Sequence, residues 1–154
     1  LNWINTTTTL AQGWNVNSNW SNGTGFPNTT LLPANVTANI AANQTVNLNQ
    51  PITIGALSVG ASGGSYTIAG NGGSLIFDNA PDDALLVQVA ASKGDTITAA
   101  ITNDIGLTIQ NNSVTPLTLA GNVAGGGPTG CGSWRRKNIF SGTIKGIGFT
   151  SPCH

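Results

Sequence analysis

The chain is 154 residues long, has zero formal net charge and contains no Glu; only 6% of its residues are charged. An ordinary domain is about one quarter charged, yet here Leu1 to Phe77 contains no charged side chain at all. That balance removes electrostatic steering toward nucleic acid or acidic lipid. The length sets the expectation of one domain, residues 1–154, burying ~68–70% of its unfolded surface with no metal or cofactor needed.

In chain order, residues 1–30 come first. They set Trp3, Trp14, Trp20 and Phe26 among Asn, Thr and Gly. Two roles suit such a segment. It is an aromatic cap over the end of a repeating fold, whose core and unpaired edge need covering. The alternative is a carbohydrate-binding module in which Trp14, Trp20 and Tyr66 supply flat faces for sugar rings.

Residues 31–127 carry short apolar runs that alternate with period two, the signature of half-buried strands. The inward-facing sets are Val46 and Leu48, Ile52 and Ile54, Leu57 and Val59, Tyr66 and Ile68, and Leu75 and Phe77. Further on are Leu85, Val87 and Val89, then Ile97, Leu107 and Ile109, Leu117 and Leu119, and Val123. Gly, Asn, Ser and Pro punctuate the gaps, at Gly60 to Ser65, Gly70 to Ser74, Asn79 to Asp83 and Gly121 to Gly127. Helix formers are scarce, and the one run compatible with a helix, Ala80 to Ser92, is Val-rich. Strands this short at even spacing predict an all-β fold, a β-solenoid of parallel β-helix type, with an antiparallel β-sandwich as the alternative. Coils of roughly 20 residues stacked about 4.8 Å apart would number five or six. Stacking also explains the missing charges: like charges repel at that spacing, whereas Asn and Thr hydrogen-bond along a ladder.

Residues 128–154 form a tail holding Cys131 and Cys153. In an oxidising compartment the pair reads as a disulfide that pins the tail, worth about 3 kcal/mol by loop entropy. Two buried thiols, or a Cys–Cys–His metal site with His154, are the alternatives. The absence of Met and the start at Leu1 set the expectation that a secretory signal has been removed. No apolar run approaches the ~18 residues of a membrane span.

Chemistry is sparse. The only imidazole is His154, so a nucleophilic triad has no positioned base. The turn Asp78-Asn-Ala-Pro-Asp-Asp83 is the only carboxylate cluster. It reads as a polar turn; a carboxylate pair for glycoside hydrolysis and a weak Ca²⁺ site on Asp78, Asp82 and Asp83 are the competing uses. Arg135, Arg136 and Lys137 beside Trp134 form a basic patch too small for nucleic acid. Thr-x-Thr, the unit of an ice-binding rank, occurs only within the run Thr6 to Thr9 (Thr7–Thr9 among them) and at Thr96–Thr98. Asn-x-Ser/Thr acceptors for glycosylation occur at Asn5, Asn19, Asn22, Asn28, Asn35, Asn43 and Asn111, six of them in the charge-free region.

Three segments carry a resemblance to a known family. They are WNVNSNWSNGTGFPN (Trp14 to Asn28), PITIGALSVGASGGSYTIAGNGGSLIFDN (Pro51 to Asn79) and LTLAGNVAGGG (Leu117 to Gly127). Together they resemble the autotransporter-associated β-strand repeats of secreted bacterial surface proteins, over roughly residues 14 to 127. The resemblance implies a right-handed parallel β-helix at the cell surface, adhesive or structural, with no catalytic residues. After Gly127 the sequence departs from the family pattern, and only Asn138 to Thr143 echoes it. The combined expectation is a non-enzymatic, extracellular structural or adhesive β-solenoid. Its partners are further copies of itself or a surface or matrix polysaccharide; a filament subunit is the alternative.

Overall fold

The computed structural model describes residues 1–104 and 106–125 in full, and the strand backbone at 140–141, 144–145 and 148–150. The alternating runs become strands of two to five residues. The first, β1 (Gln12–Gly13), belongs to the N-terminal segment. Four complete three-strand turns follow. They are β2 (Pro33–Val36), β3 (Gln44–Asn47) and β4 (Ile52–Ile54); β5 (Ala56–Val59), β6 (Tyr66–Ala69) and β7 (Ser74–Phe77); β8 (Ala84–Gln88), β9 (Thr96–Ile97) and β10 (Ala100–Asn103); and β11 (Leu107–Asn111), β12 (Leu117–Leu119) and β13 (Asn122–Gly125). Strands β14 (Phe140–Ser141), β15 (Ile144–Lys145) and β16 (Gly148–Thr150) pair onto the last turn.

Each strand pairs in parallel with its counterpart one turn away. This builds three sheets, β2-β5-β8-β11-β14, β1-β3-β6-β9-β12-β15 and β4-β7-β10-β13-β16. The architecture is therefore a parallel β-helix, and the sandwich alternative is excluded. Among the described residues the antiparallel contact is a single bridge, Trp3 to Trp20, in the N-terminal segment. The turns number fewer than the five or six expected. Pro33 pairs with Ala56, Ala56 with Leu85 and Leu85 with Thr108, so each turn consumes more than 20 residues.

The core is a set of inward columns. One runs Ala34, Leu57, Leu86 and Ile109, and another runs Ile52, Leu75, Ile101 and Val123. Every member is buried. Strand pairing satisfies the backbone, and stacking buries each turn's apolar edge against the next, which a single turn cannot do alone. Two strands escape the alternation pattern, β2 and β10, because each offers only one large apolar residue, Val36 or Ile101, beside Ala or Asn.

One register expectation is corrected. Leu85, Val87 and Val89 do not face inward. Ala84, Leu86 and Gln88 are the buried set of β8, while Leu85, Val87 and Val89 are half-buried on the outside. A one-residue slip exchanges the two faces of a strand, and here the slip places the amide of Gln88 beneath Val59. The Ala80–Ser92 run holds strand β8 at Ala84–Gln88 and no helix; among the described residues the only helix is a short 3₁₀ turn at Asn17–Asn19.

Candidate functional site

Residues 1–31 cap the first turn. Leu1 to Trp3 runs beside β2 through the Asn2–Asn35 bridge and the bond from the Trp3 N–H to the Asn35 carbonyl. Strand β1 extends β3. The Thr53 N–H of β4 donates to Asn28 Oδ1. All three sheets are therefore engaged at this end. Trp20 packs edge-on against Trp3 and Trp14, with ring centroids 5.2 and 4.7 Å away. Each indole N–H has an acceptor: Trp3 reaches Gln44 Oε1 at 2.8 Å, Trp14 the Pro27 carbonyl at 2.8 Å and Trp20 the Trp14 carbonyl at 2.7 Å.

This geometry corrects the sugar-binding expectation. Trp14, Trp20 and Tyr66 are each 0% exposed, so none offers a face on which a sugar ring can stack. The Tyr66 hydroxyl donates inward to the Ala38 carbonyl at 2.7 Å. Such rings carry large apolar areas and a polar tip that needs a partner when buried; the cap supplies both.

The Asp78–Asp83 segment is a turn held by its own hydrogen bonds. Asp78 Oδ1 accepts from the Ala80 N–H, and the Asn79 amide donates to the Asp83 carbonyl. Asp82 and Asp83 point into solvent. Among the described residues no group of three or more carboxylate, thiol or imidazole side chains is placed to hold a metal ion. That includes Asp78, Asp82 and Asp83, which act as turn residues. Cys131, Cys153, His154 and the Arg135–Lys137 patch lie outside the described residues.

Amide ladders run along the corners, as stacking requires. Asn71 Nδ2 donates to Asn49 Oδ1 at 2.7 Å, and Asn49 Nδ2 donates to Asn15 Oδ1 at 3.3 Å. Ser62 Oγ donates to Asn39 Oδ1 at 2.9 Å one corner away. The seven glycosylation acceptors divide on the same bonds. Asn5, Asn19, Asn35 and Asn111 each commit Nδ2 to a neighbour within the fold, and Asn19 and Asn111 are buried. Asn22, Asn28 and Asn43 are exposed and use only Oδ1, accepting backbone N–H groups.

Two constellations were not legible in the sequence. The first lies outside the β3-β6-β9-β12 sheet. Thr45, Thr67, Thr96 and Thr118 stand in strict register, one per turn. Their strand neighbours Val46, Ile68, Ile97 and Leu119 are buried, so alternation turns the four threonines outward. Asn47 and Ala69 form the next column, and Lys145 is the register position after Thr118. The other two sheets carry mixed outward columns, such as Thr53, Ile76, Thr102 and Ala124. Counting Thr-x-Thr within a strand misses this rank, because it exists only across strands.

The second is a buried polar corner. Asp95 is 0% exposed and Gln88 is 0% exposed. Asp95 Oδ1 accepts from the Tyr66 N–H at 2.8 Å, and Oδ2 lies 2.5 Å from Ser92 Oγ. Gln88 Oε1 accepts from the Asp95 N–H, and its Nε2 donates to Asn111 Oδ1 and the Thr115 carbonyl, all at 2.8 Å. Gly60, at φ +133, makes room: a Cβ there would stand 2.7 Å from Ser92 Cβ and 3.1 Å from Asp95 Oδ2. Burial raises the Tyr66 phenol above its ordinary pKa, and the nearby Asp95 charge raises it further.

Against known proteins, the chain matches no family model, no curated protein and no solved structure.

Proposed function

We propose that this protein is a non-enzymatic, secreted structural and adhesive β-solenoid of the cell surface or extracellular matrix, and that its contact face is the outward threonine sheet. The observation that carries the reading is the in-register column Thr45, Thr67, Thr96 and Thr118. Strands in a sheet lie about 4.8 Å apart, so the column sets hydroxyls at a regular interval on a sheet held rigid by parallel pairing. No acidic or basic side chain stands among these four positions, nor at Asn47, Ala69, Thr98 or Ala120 beside them. A neutral, repeating hydroxyl surface is complementary to a neutral, repeating polymer, above all a polysaccharide, whose own hydroxyls donate and accept at a regular spacing. The extracellular assignment is supported by composition: amide and hydroxyl ladders replace charge as the polar surface of residues 1–77.

Co-sedimentation with insoluble neutral polysaccharides (cellulose, chitin and β-1,3-glucan as separate arms) tests the adhesive part. The protein is expected to pellet with at least one of them in the presence of 0.5 M NaCl, a salt level at which charge attraction is screened to within about 5 Å. Thr67→Lys with Thr96→Lys, which leaves the inward columns untouched, is expected to abolish pelleting with an unchanged β-sheet circular dichroism spectrum. Binding that survives the double substitution moves the contact away from this face. Absence of binding in every arm removes the adhesive function and leaves a purely structural rod.

A further inference from the structure

The buried corner around Asp95 has a role that neither adhesion nor rod-building requires. It sits where three turns meet. Tyr66 belongs to the second turn, Gln88, Ser92 and Asp95 to the third, and Asn111, Ser113 and Thr115 to the fourth. Ser92 is the hub. Its Oγ accepts from the Gly94 N–H at 3.0 Å and contacts Asp95 Oδ2. Its carbonyl accepts from Ser113 Oγ at 2.9 Å and Thr115 Oγ1 at 3.0 Å. Asp95 faces inward between Tyr66 below and Leu117 above, one step before the Thr67–Thr96–Thr118 pairing.

A carboxylate in this position is held by two donors, the Tyr66 N–H and Ser92 Oγ, whereas an ionised carboxylate has about four acceptor sites. Among the described residues no cation is placed against it. Of the groups on the elements that pack around it, the 88–95 segment brings only Lys93, whose side chain is exposed, and β6 brings the Tyr66 phenol, which bonds to Ala38. The Gly60 corner, the 111–116 segment and β12 up to Leu119 bring no titratable group. Taking a charge out of water with so little compensation is unfavourable.

We propose that the Ser92–Asp95 corner is an acid-strengthened joint: protonation of Asp95 removes the buried charge while both of its hydrogen bonds persist. The geometry allows this without rearrangement. Oδ1 still accepts from the Tyr66 N–H, and the hydrogen between Oδ2 and Ser92 Oγ can come from either oxygen. Burial is the leading influence on Asp95 and raises its pKa, outweighing the bonds from Ser92 and the Tyr66 N–H, which lower it. A carboxyl whose folded pKa lies above its unfolded value contributes stability that is complete below the unfolded pKa. That contribution is lost as pH rises through the folded pKa. The protein therefore tightens on acidification through the window between those two values, the reverse of ordinary acid denaturation.

Urea unfolding of the whole chain between pH 7.5 and pH 4 tests this. In the wild type the unfolding equilibrium constant is expected to fall with decreasing pH, by up to about tenfold per pH unit for one proton. Asp95→Asn keeps an acceptor for the Tyr66 N–H and supplies a donor toward Ser92. It is expected to be more stable than wild type at pH 7.5 and nearly flat across the range. A wild type that weakens on acidification, or an Asp95→Asn protein that keeps the wild-type slope, overturns the proposal. Should Asp95→Asn fail to fold, the ¹³C carboxyl resonance of Asp95 in the wild type decides. A titration midpoint above the ordinary Asp value supports the joint; one at or below it sinks the idea.

Discussion

The first two turns and the next two are built on the same three sheets but filled differently. Following the inward columns, Val36 and Val59 give way to Gln88 and Asn111. Ile54 and Phe77 give way to Asn103. The column containing Gln44 and Tyr66 reaches Asp95. The interior of the first two turns is apolar, with the amide of Gln44 answering the Trp3 indole; the third and fourth turns carry a polar network. The outer surface changes at the same place, from uncharged ladders to a surface with four acids, Asp78, Asp82, Asp83 and Asp104. The lesson is that a solenoid sets its interior turn by turn. Because each turn bonds mainly to its neighbours, one half can be an apolar rod and the next a hydrogen-bonded joint without a domain boundary. The halves are nonetheless coupled, since the Tyr66 N–H of the uncharged half is bonded to the Asp95 carboxylate.

The largest effect is expected where the apolar half is sealed. Trp14 is fully buried beneath the cap, against Trp20. Trp14→Ala is expected to cost about 3–5 kcal/mol, measured by urea denaturation. It also removes the bond to the Pro27 carbonyl that ties down the chain entering β2. Loosening the cap bares the outer edges of β2, β3 and β4, and open edges recruit other strands. Negative-stain microscopy of the variant is therefore expected to show fibres or aggregates where the wild type shows short particles. Wild-type fibres would mean instead that the capped end does not stop growth, and would favour the filament subunit.

Much of this contrast was legible beforehand, and the limits have physical causes. The strands, their spacing and the parallel stack follow from period-two apolar pairs separated by Gly and Asn, and the core positions Val46, Ile54, Leu57, Ile68, Phe77, Ile97 and Leu119 are those the alternation names. The register of β8 was not legible, because Leu85, Leu86, Val87 and Val89 offer an apolar residue on either face. What decides it is the buried hydrogen bonding of Gln88, a long-range property. The threonine rank was hidden for a related reason: its members lie more than 20 residues apart, and only the register brings them together. Trp14, Trp20 and Tyr66 were legible as large and important, but composition does not reveal whether an aromatic faces in or out.

A paired comparison sharpens the difference between the two interiors. Asn49 and Gln88 both bridge turns through their amides, but Asn49 is exposed and Gln88 is not. Asn49→Ala lets water replace the lost bonds, and its cost is expected at about 0.5–1.5 kcal/mol. Gln88→Ala strands the Asp95 N–H away from water, a cost of about 1–3 kcal/mol, while Asn111 Oδ1 keeps the Ser113 N–H. The ratio of the two costs, read from urea midpoints under identical conditions, measures how much the joint depends on being dry. Equal costs would mean that water enters the corner and that the distinction between ladder and network is one of position only.

The smallest expected effect tests the rule that explains the missing charges. Asp78 and Asp104 follow the in-register pair Phe77 and Asn103, and the Asp104 N–H bonds to the Phe77 carbonyl, so two acids are stacked on adjacent turns. Partial burial raises the pKa of Asp104, and the Asp78 charge raises it further. By linkage, the stability contribution of Asp104 is complete at low pH and is lost as pH rises through its folded pKa. Asp104→Asn is then expected to stabilise the protein at pH 7.5, by no more than about 1 kcal/mol because both groups reach solvent. The gain should vanish in acid, and it should shrink in 0.5 M NaCl as screening sets in. The salt response separates it from the Asp95 joint, where the penalty is desolvation and added salt has little to screen. A gain at Asp104 that ignores salt would assign the penalty there to burial as well. Stacked charge would then not be the reason residues 1–77 carry none.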